Sequence, residues 1–402
     1  MAGFDDGERM LGGLLLASQS CSLDELAGLV SEHGGLAGLD DPVIYLADRQ
    51  QEVLRPLRGD GAKGGPVVGE LGIDSTLAGR AFRNLETAEA GGPAGPADHR
   101  LWVPLLNGME RLGVLGVRVQ ALDEAVLARA RRLAALVALL VVSKRSQSDT
   151  YARLTRTKEM TLAAEMQWTL LPPLTFANED VVISAALEPA YEVAGDALDY
   201  ALAGPVVHLA IFDAMGHDLS AGLTASIAVA SSRNSRRQGA GLVETSEAID
   251  AAVAAQFDRE RFATGILAEL DTRTGALRWV DRAHPAPLLI RQGRWITSLE
   301  GQPAPPMGLG LGEAPVLCHD QLEPGDRLLL YTDGVTEARS PRGVEWFGLD
   351  RFADFVIRGE ADGLSAPETL RRLIQAILAY HDGRLSDDAG VLLVEWRAGT
   401  DR

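Results

Sequence analysis

Residues 205–218 read PVVHLAIFDAMGHD. From Val206 to Phe212 the stretch is apolar except for His208, and it stops at one carboxylate, Asp213, followed by Ala214, Met215 and Gly216. A short apolar run that ends in an acid and a glycine-containing turn reads as a buried strand delivering a side chain to a sheet edge. Residues 219–230 (LSAGLTASIAVA) are small and apolar, as a buried helix would be. Taken alone, an aspartate closing a strand is more often a turn-former or helix cap than a ligand. Its meaning depends on what stands at the other strand ends.

Downstream and upstream of this stretch the pattern keeps alternating. Strands are expected at 181–187, 206–212, 265–270, 277–281, 287–291, 327–332 and 390–396, and helices at 219–232, 243–257, 351–358 and 367–380. The turn 271–275 (DTRTG) joins two of the strands as a hairpin. Hairpin-joined strands with helices gathered in pairs imply antiparallel sheets covered by helices, rather than a doubly wound parallel sheet. The overall class is α+β. Acids recur where strands stop: Asp196 and Asp199 in EVAGDALDY (192–200), Asp213, Asp333 after LLLYT (328–332), and Asp387-Asp388 just before the last strand. Carboxylate oxygens suit hard cations such as Mg²⁺ or Mn²⁺. A pair of such ions needs several carboxylates from different strands, with at least one shared, and is suited to phosphoester hydrolysis. No His/Cys cluster, Gly-Lys phosphate loop or nucleophile elbow competes with this reading.

Residues 124–171 contain no Gly or Pro, and Leu133, Leu136, Leu140, Ser143, Leu154, Leu162, Met166 and Leu170 recur at helical spacings across a polar middle (143–150, SKRSQSDT). Such a rod reads as a parallel coiled-coil homodimer seam, or as a single helix packed on its neighbours. Pro172-Pro173 ends it. Before it, residues 1–120 show two amphipathic helices within 11–30 broken around 20–22, strands at 42–46 and 53–57, a helix at 75–84 with Ser75 as its cap, a loop at 91–96, and strands at 101–106 and 112–119 around Asn107-Gly108. The expected division is 1–122, 123–171 and 172–402.

Composition bounds the rest. A chain of 402 residues with 46% hydrophobic and 23% charged residues is ordinary globular protein. A net charge of −18 disfavours nucleic acid and anionic membranes as partners. Cys21 and Cys318 match no zinc spacing or disulfide framework, the N-terminus lacks a basic signal region, and the most apolar run (133–142) is ten residues against the roughly 20 that span a bilayer. A cytoplasmic location follows as the expectation.

Two resemblances emerge from these motifs. The N-terminal pattern, with GIDSTLAGRAF (72–82) and LWVPLL…LGVLGV (101–117), resembles a GAF domain, which implies a small-molecule pocket or else a purely structural dimerisation module. Residues 160–397 resemble the SpoIIE-like branch of the PPM metal-dependent protein Ser/Thr phosphatases. The motifs occur in that family's order: AAEMQWTLLP (163–172), VAGDALD (193–199), DAMGH (213–217), FAT (262–264), AHP (283–285), LLLYTDGVTEAR (328–339) and Asp387-Asp388. The resemblance implies a sandwich of two antiparallel sheets flanked by helices. It also implies a site of two Mn²⁺ or Mg²⁺ ions held by Asp196, Asp213, Asp333 and Asp387, with Asp213 bridging and the Ala214 carbonyl on the second ion. Attack would come from metal-activated water with no covalent phosphoenzyme. Asp199 would order its motif, and His217 and His284 stay on the structural side. The implied substrate is a phosphorylated STAS-domain anti-sigma-factor antagonist in bacterial partner switching, with the N-terminal module as sensor. Ala194, Ala197-Leu198, Asp218 and Ala389-Gly390 depart from the family pattern without removing a carboxylate, and a catalytically weak phosphoprotein-binding scaffold is the alternative.

Overall fold

The computed structural model describes residues 6–58, 69–91, 99–192, 195–291, 294–336, 347–380, 385 and 387–397. The chain divides into two compact units, Met1–Lys158 and Glu159–Arg402.

In the first unit, α1 (Asp6–Ala17) and α2 (Leu23–Gly35) are separated by a cap, since Ser22 and Glu25 form a reciprocal capping box. Then follow β1 (Asp40–Ala47), β2 (Val53–Pro56), β3 (Leu71–Gly72), α3 (Leu77–Asn84), β4 (Ala88–Gly91), β5 (His99–Asn107), β6 (Glu110–Val119), α4 (Glu124–Arg145) and α5 (Asp149–Thr155). The strands form one antiparallel sheet in the order β3-β2-β1-β6-β5-β4. One face packs on α1, α2 and α4, the other on α3. The cap of α3 is Thr76 rather than the expected Ser75: its Oγ1 accepts from the Gly79 amide.

The unbroken rod expected over 124–171 does not form. It is three helices, because two hydroxyls inside it serve as caps. Ser148 accepts from the Tyr151 amide to start α5, and Thr161 accepts from the Ala164 amide to start α6 (Leu162–Leu170). The leucines expected at a coiled-coil seam up to Leu154 are spent inside the first unit. Leu133 and Leu140 are buried in its core beside Val137 and Val141, with Leu136 packed against them. A stripe already facing its own sheet cannot also face a partner helix.

The second unit continues with β7 (Thr175–Ala177), β8 (Val181–Glu188), β9 (Asp196–Ala203), β10 (Val206–Ala214), α7 (Leu219–Arg237), α8 (Leu242–Phe257), β11 (Ala263–Asp271), β12 (Ala276–Arg282), β13 (Leu288–Arg291), β14 (Arg294–Ser298), β15 (Cys318–Gln321), β16 (Arg327–Tyr331), α9 (Asp333–Thr336), α10 (Leu349–Ala361), α11 (Ala366–Tyr380) and β17 (Ala389–Trp396). Two antiparallel sheets, β15-β12-β11-β10-β9 and β14-β13-β16-β17-β8-β7, pack face to face. The outer face of the first carries α7 and α8, and that of the second α10 and α11.

Strand parity decides which residues enter the seam. In β10, Val207, Leu209 and Ile211 join the inter-sheet core, while Ala210, Phe212 and Ala214 face α7 and α8. In β9, Leu198 and Tyr200 face the seam and Ala197 the helices. The same period of two applies to Leu328 and Leu330 of β16 and to Leu392 and Val394 of β17. Phe212, fully buried, anchors β10 from the helix side.

Candidate metal centre

Extending that parity to the strand ends brings the acids together. Asp213 follows Ile211 by two residues, Asp196 precedes Leu198 by two, Thr332 follows Leu330 by two and Asp388 lies four before Leu392. All four therefore point into the seam at one end of the sandwich, two from each sheet. Asp196 and Asp213 stand opposite each other in the β9–β10 register.

Short contacts tie the two sheets together there. Thr332 Oγ1 donates to Asp196 Oδ2 at 2.6 Å and accepts from the Gly390 amide at 2.7 Å. Asp388 Oδ2 accepts from the amides of Gly195 at 2.7 Å and Asp196 at 3.3 Å. The Ala214 amide donates to the Gly195 carbonyl at 3.1 Å. Glycines make this closeness possible. A Cβ on Gly195 would lie 2.8 Å from the carbonyl oxygens of both Ala214 and Gly216, and one on Gly334, just after Asp333, would lie 1.8 Å from the Asp388 carbonyl. A Cβ on Gly390 would press on Asp196 Oδ2 at 3.2 Å, which accounts for glycine at that departure from the family pattern.

The electrostatics are those of a site short of positive charge. Burial, then the neighbouring carboxylates of Asp213 and Asp388, push Asp196 well above the usual carboxylate range, against the opposing Thr332 hydroxyl. Burial and the charges of Asp333, Asp387 and Asp388 push Asp213 up to about 7. Among the described residues the largest influences on both acids are burial and other carboxylates. An all-oxygen set of mutually repelling acids fits a hard divalent cation by donor chemistry and by charge. Among the described residues no three of these side chains are yet drawn together tightly enough to enclose an ion.

Each expected residue can now be placed. Asp196, Asp213, Asp333 and Asp387 share one electrostatic neighbourhood. Ala214 is buried, its carbonyl turned toward Gly195. Asp388, buried and engaged with two backbone amides, holds β9, while Asp387 is exposed beside it. Asp199, on the other parity, lies on the helix side and meets Arg233 and Arg236 instead. His217 is exposed on the turn. His284 is buried, its Nδ1 2.8 Å from Thr264 Oγ1, and burial pulls it down to about 3, so it is a neutral imidazole. Asp218 caps α7, its Oδ1 accepting from the Ala221 amide, and pairs with Arg261. Val193 and Ala194, and the 337–339 end of the LLLYTDGVTEAR motif, lie outside the described residues. Thr332 was not singled out from sequence, although its place next to Asp333 was a usable signal. Arg233 and Arg236 carried none.

Residues 204–397 match the family model described as Stage II sporulation protein E (SpoIIE). The C-terminal domain is a SpoIIE-type PPM phosphatase domain. The phosphoserine phosphatase RsbU of Bacillus subtilis is 24% identical over 242 residues, 59% of this chain and 69% of that protein. Protein IcfG of Synechocystis is 27% identical over 140 residues, 35% of this chain, and the match spans only 21% of that relative's length. Among solved structures, the RsbU and RsbW domains of Rv1364c from Mycobacterium tuberculosis align at TM-score 0.48 and 25% identity, covering 57% of this chain and 64% of that one. No described helix is long and apolar enough to cross a membrane.

Proposed function

We propose that the chain is a Mn²⁺- or Mg²⁺-dependent phosphoserine/phosphothreonine protein phosphatase acting on a phosphorylated anti-sigma-factor antagonist of the STAS type in bacterial partner-switching signalling. The observation that carries the reading is the convergence of Asp196 and Asp213 from one sheet on Asp333, Asp387 and Asp388 at the edge of the other, whose charges push both acids up. Asp196, Asp213, Asp333 and Asp387, with the Ala214 carbonyl, would hold two ions. Bound there, the ions supply Lewis-acid activation of water and charge stabilisation at phosphorus. The protein's own part is positioning: Asp388 fixes the start of β9, and Thr332 orients Asp196.

Regulation by the N-terminal unit, read as a GAF-like small-molecule sensor, belongs to the same proposal. It is supported by how α6, the first helix after the unit boundary, grips the approach to Asp196. The Trp168 indole donates to the Ala190 carbonyl at 2.6 Å and the Thr161 amide to the Tyr191 carbonyl at 2.9 Å. A homodimer through α4 would use its exposed face, where Leu139 stands, since Leu133 and Leu140 are buried. The departures from the family pattern at Ala194, Ala197-Leu198, Asp218 and Ala389-Gly390 motivate a second reading, a phosphoprotein-binding scaffold with weak turnover. Mn²⁺-dependent phosphate release from p-nitrophenyl phosphate and from candidate phosphorylated STAS proteins decides between them. Release by the wild type that is lost in Asp213→Asn supports the enzyme; binding of phosphoprotein without metal-stimulated release supports the scaffold.

A further inference from the structure

Asp199 is one of the most deeply buried carboxylates in the domain, yet it lies on the face of β9 away from the acid cluster. Its Oδ1 accepts from Arg233 Nη2 at 2.7 Å and Nε at 3.1 Å, and its Oδ2 from Arg236 Nη1 at 3.0 Å. Arg233 Nη2 also donates to the Leu170 carbonyl at 2.6 Å. Leu170 is the last residue of α6, where helix carbonyls lack intrahelical partners and a cation is electrostatically favoured. One guanidinium thus joins the end of α6 to the middle of β9.

The position of this clamp matters because β9 is the edge strand of its sheet and has a ladder partner, β10, on one side only. On the open side nothing in the sheet sets its height or tilt. The strand is pinned at its first residues by Asp388, and three residues on by the arginines. Asp196 is held at the first pin, three residues from the second, which acts from the other face of the strand. An apolar pair would bury here at lower desolvation cost than a carboxylate with two arginines. What the charged clamp adds is direction, because a forked, bidentate contact tolerates little displacement.

We propose that Asp199, Arg233 and Arg236 are positioning residues for the metal centre, holding β9 so that Asp196 stands at a distance from Asp213 at which both reach one ion. The inference rests on the metal-dependent reading above. Mn²⁺ binding to the full chain, followed by isothermal titration calorimetry, tests it. Arg233→Met, which keeps the side chain's apolar length, is expected to weaken Mn²⁺ binding by about tenfold, within the range for residues that support metal ligands indirectly. The Mn²⁺ concentration giving half-maximal p-nitrophenyl phosphate hydrolysis should rise in parallel, with kcat at saturating Mn²⁺ largely recovered. Arg233→Lys should recover part of the affinity. Arg236→Met, which leaves the Leu170 contact in place, is a milder version should Arg233→Met fold poorly, and thermal melting monitors folding in both. Unchanged Mn²⁺ affinity in folded Arg233→Met and Arg236→Met overturns the positioning role while leaving the phosphatase reading intact. A wild type that neither binds Mn²⁺ nor releases phosphate overturns both.

Discussion

Asp196 and Asp199 sit three residues apart on one strand, both almost wholly buried, and their surroundings are opposite. Asp199 is wrapped by two guanidinium groups, so its charge is matched within the protein. Among the described residues Asp196 faces other carboxylates and a hydroxyl, so its charge is unmatched there. Burying an ion is expensive, and a fold tolerates it when a partner is present. An acid buried with its cation reads as architecture. One buried among acids reads as a place that receives its cation from solution. Two acids of one motif, DALD, are sorted into these roles by the two-residue period of the strand alone.

The sharpest way to break this comparison is to neutralise each acid in turn in metal-free protein. Asp199→Asn strips two partly buried arginines of their counter-charge and should cost about 3 kcal/mol of stability. Asp213→Asn removes a repelling charge and should stabilise the metal-free protein at pH 8, on the order of 2 kcal/mol once its partial exposure is allowed for. It should also lower Mn²⁺-dependent phosphate release more than about 100-fold, beyond the range of indirect supporting residues. Chemical denaturation with and without Mn²⁺ reads the stabilities, and equal signs for the two variants would erase the distinction.

Protons should compete with metal for the same cluster. With Asp213 pushed up to about 7 in the fold against an ordinary 3.8, the folded state holds a proton that the unfolded chain releases. Unfolding therefore sheds a proton between about pH 4 and 7, and metal-free stability falls as pH rises through that window, then levels off. Asp196, shifted in the same direction, adds to the slope. Saturating Mg²⁺ replaces proton by cation and should flatten the decline. Melting curves at pH 5 and 8, with Mg²⁺ or with chelator, measure it; a metal-free midpoint that rises with pH contradicts the unmatched charge.

Thr332→Val comes next in size. It leaves the buried Gly390 amide without its acceptor and removes the donor that steadies Asp196, a loss of about 1–3 kcal/mol. Because that hydroxyl favours the ionised form, its removal should push Asp196 further up and steepen the pH dependence just described.

How much of this was legible from residues alone follows from which signals are local. The apolar run 206–212 ending in Asp213 specified β10 to within two residues, because period and turn chemistry act over a few positions. The order of the acids along the chain also survives as their meeting in space. The strand at 196–203 was hidden, since DALDYALA on an edge has only its motif to mark it. The continuous rod failed because Ser148 and Thr161 are ordinary polar residues until their oxygens are seen to cap. The Arg233–Asp199–Leu170 joint spans separations of 34 and 63 residues and had no local trace.

The mildest prediction concerns a third kind of acid, Asp218, on the turn after Asp213. It is exposed, and hydrogen bonds from the Ala221 amide and Arg261 hold its carboxyl below the ordinary range. Arg261 in turn donates to the Met215 carbonyl on the turn after Asp213. Asp218→Asn keeps an oxygen to cap α7 and gives up only a solvent-screened charge pair. Its melting temperature and Mn²⁺ affinity should match the wild type. A loss of Mn²⁺ affinity there would mean that Asp218 and Arg261 set the turn that carries Ala214 and Met215, which would extend the charge-matched, positioning class of acid from β9 to the rim.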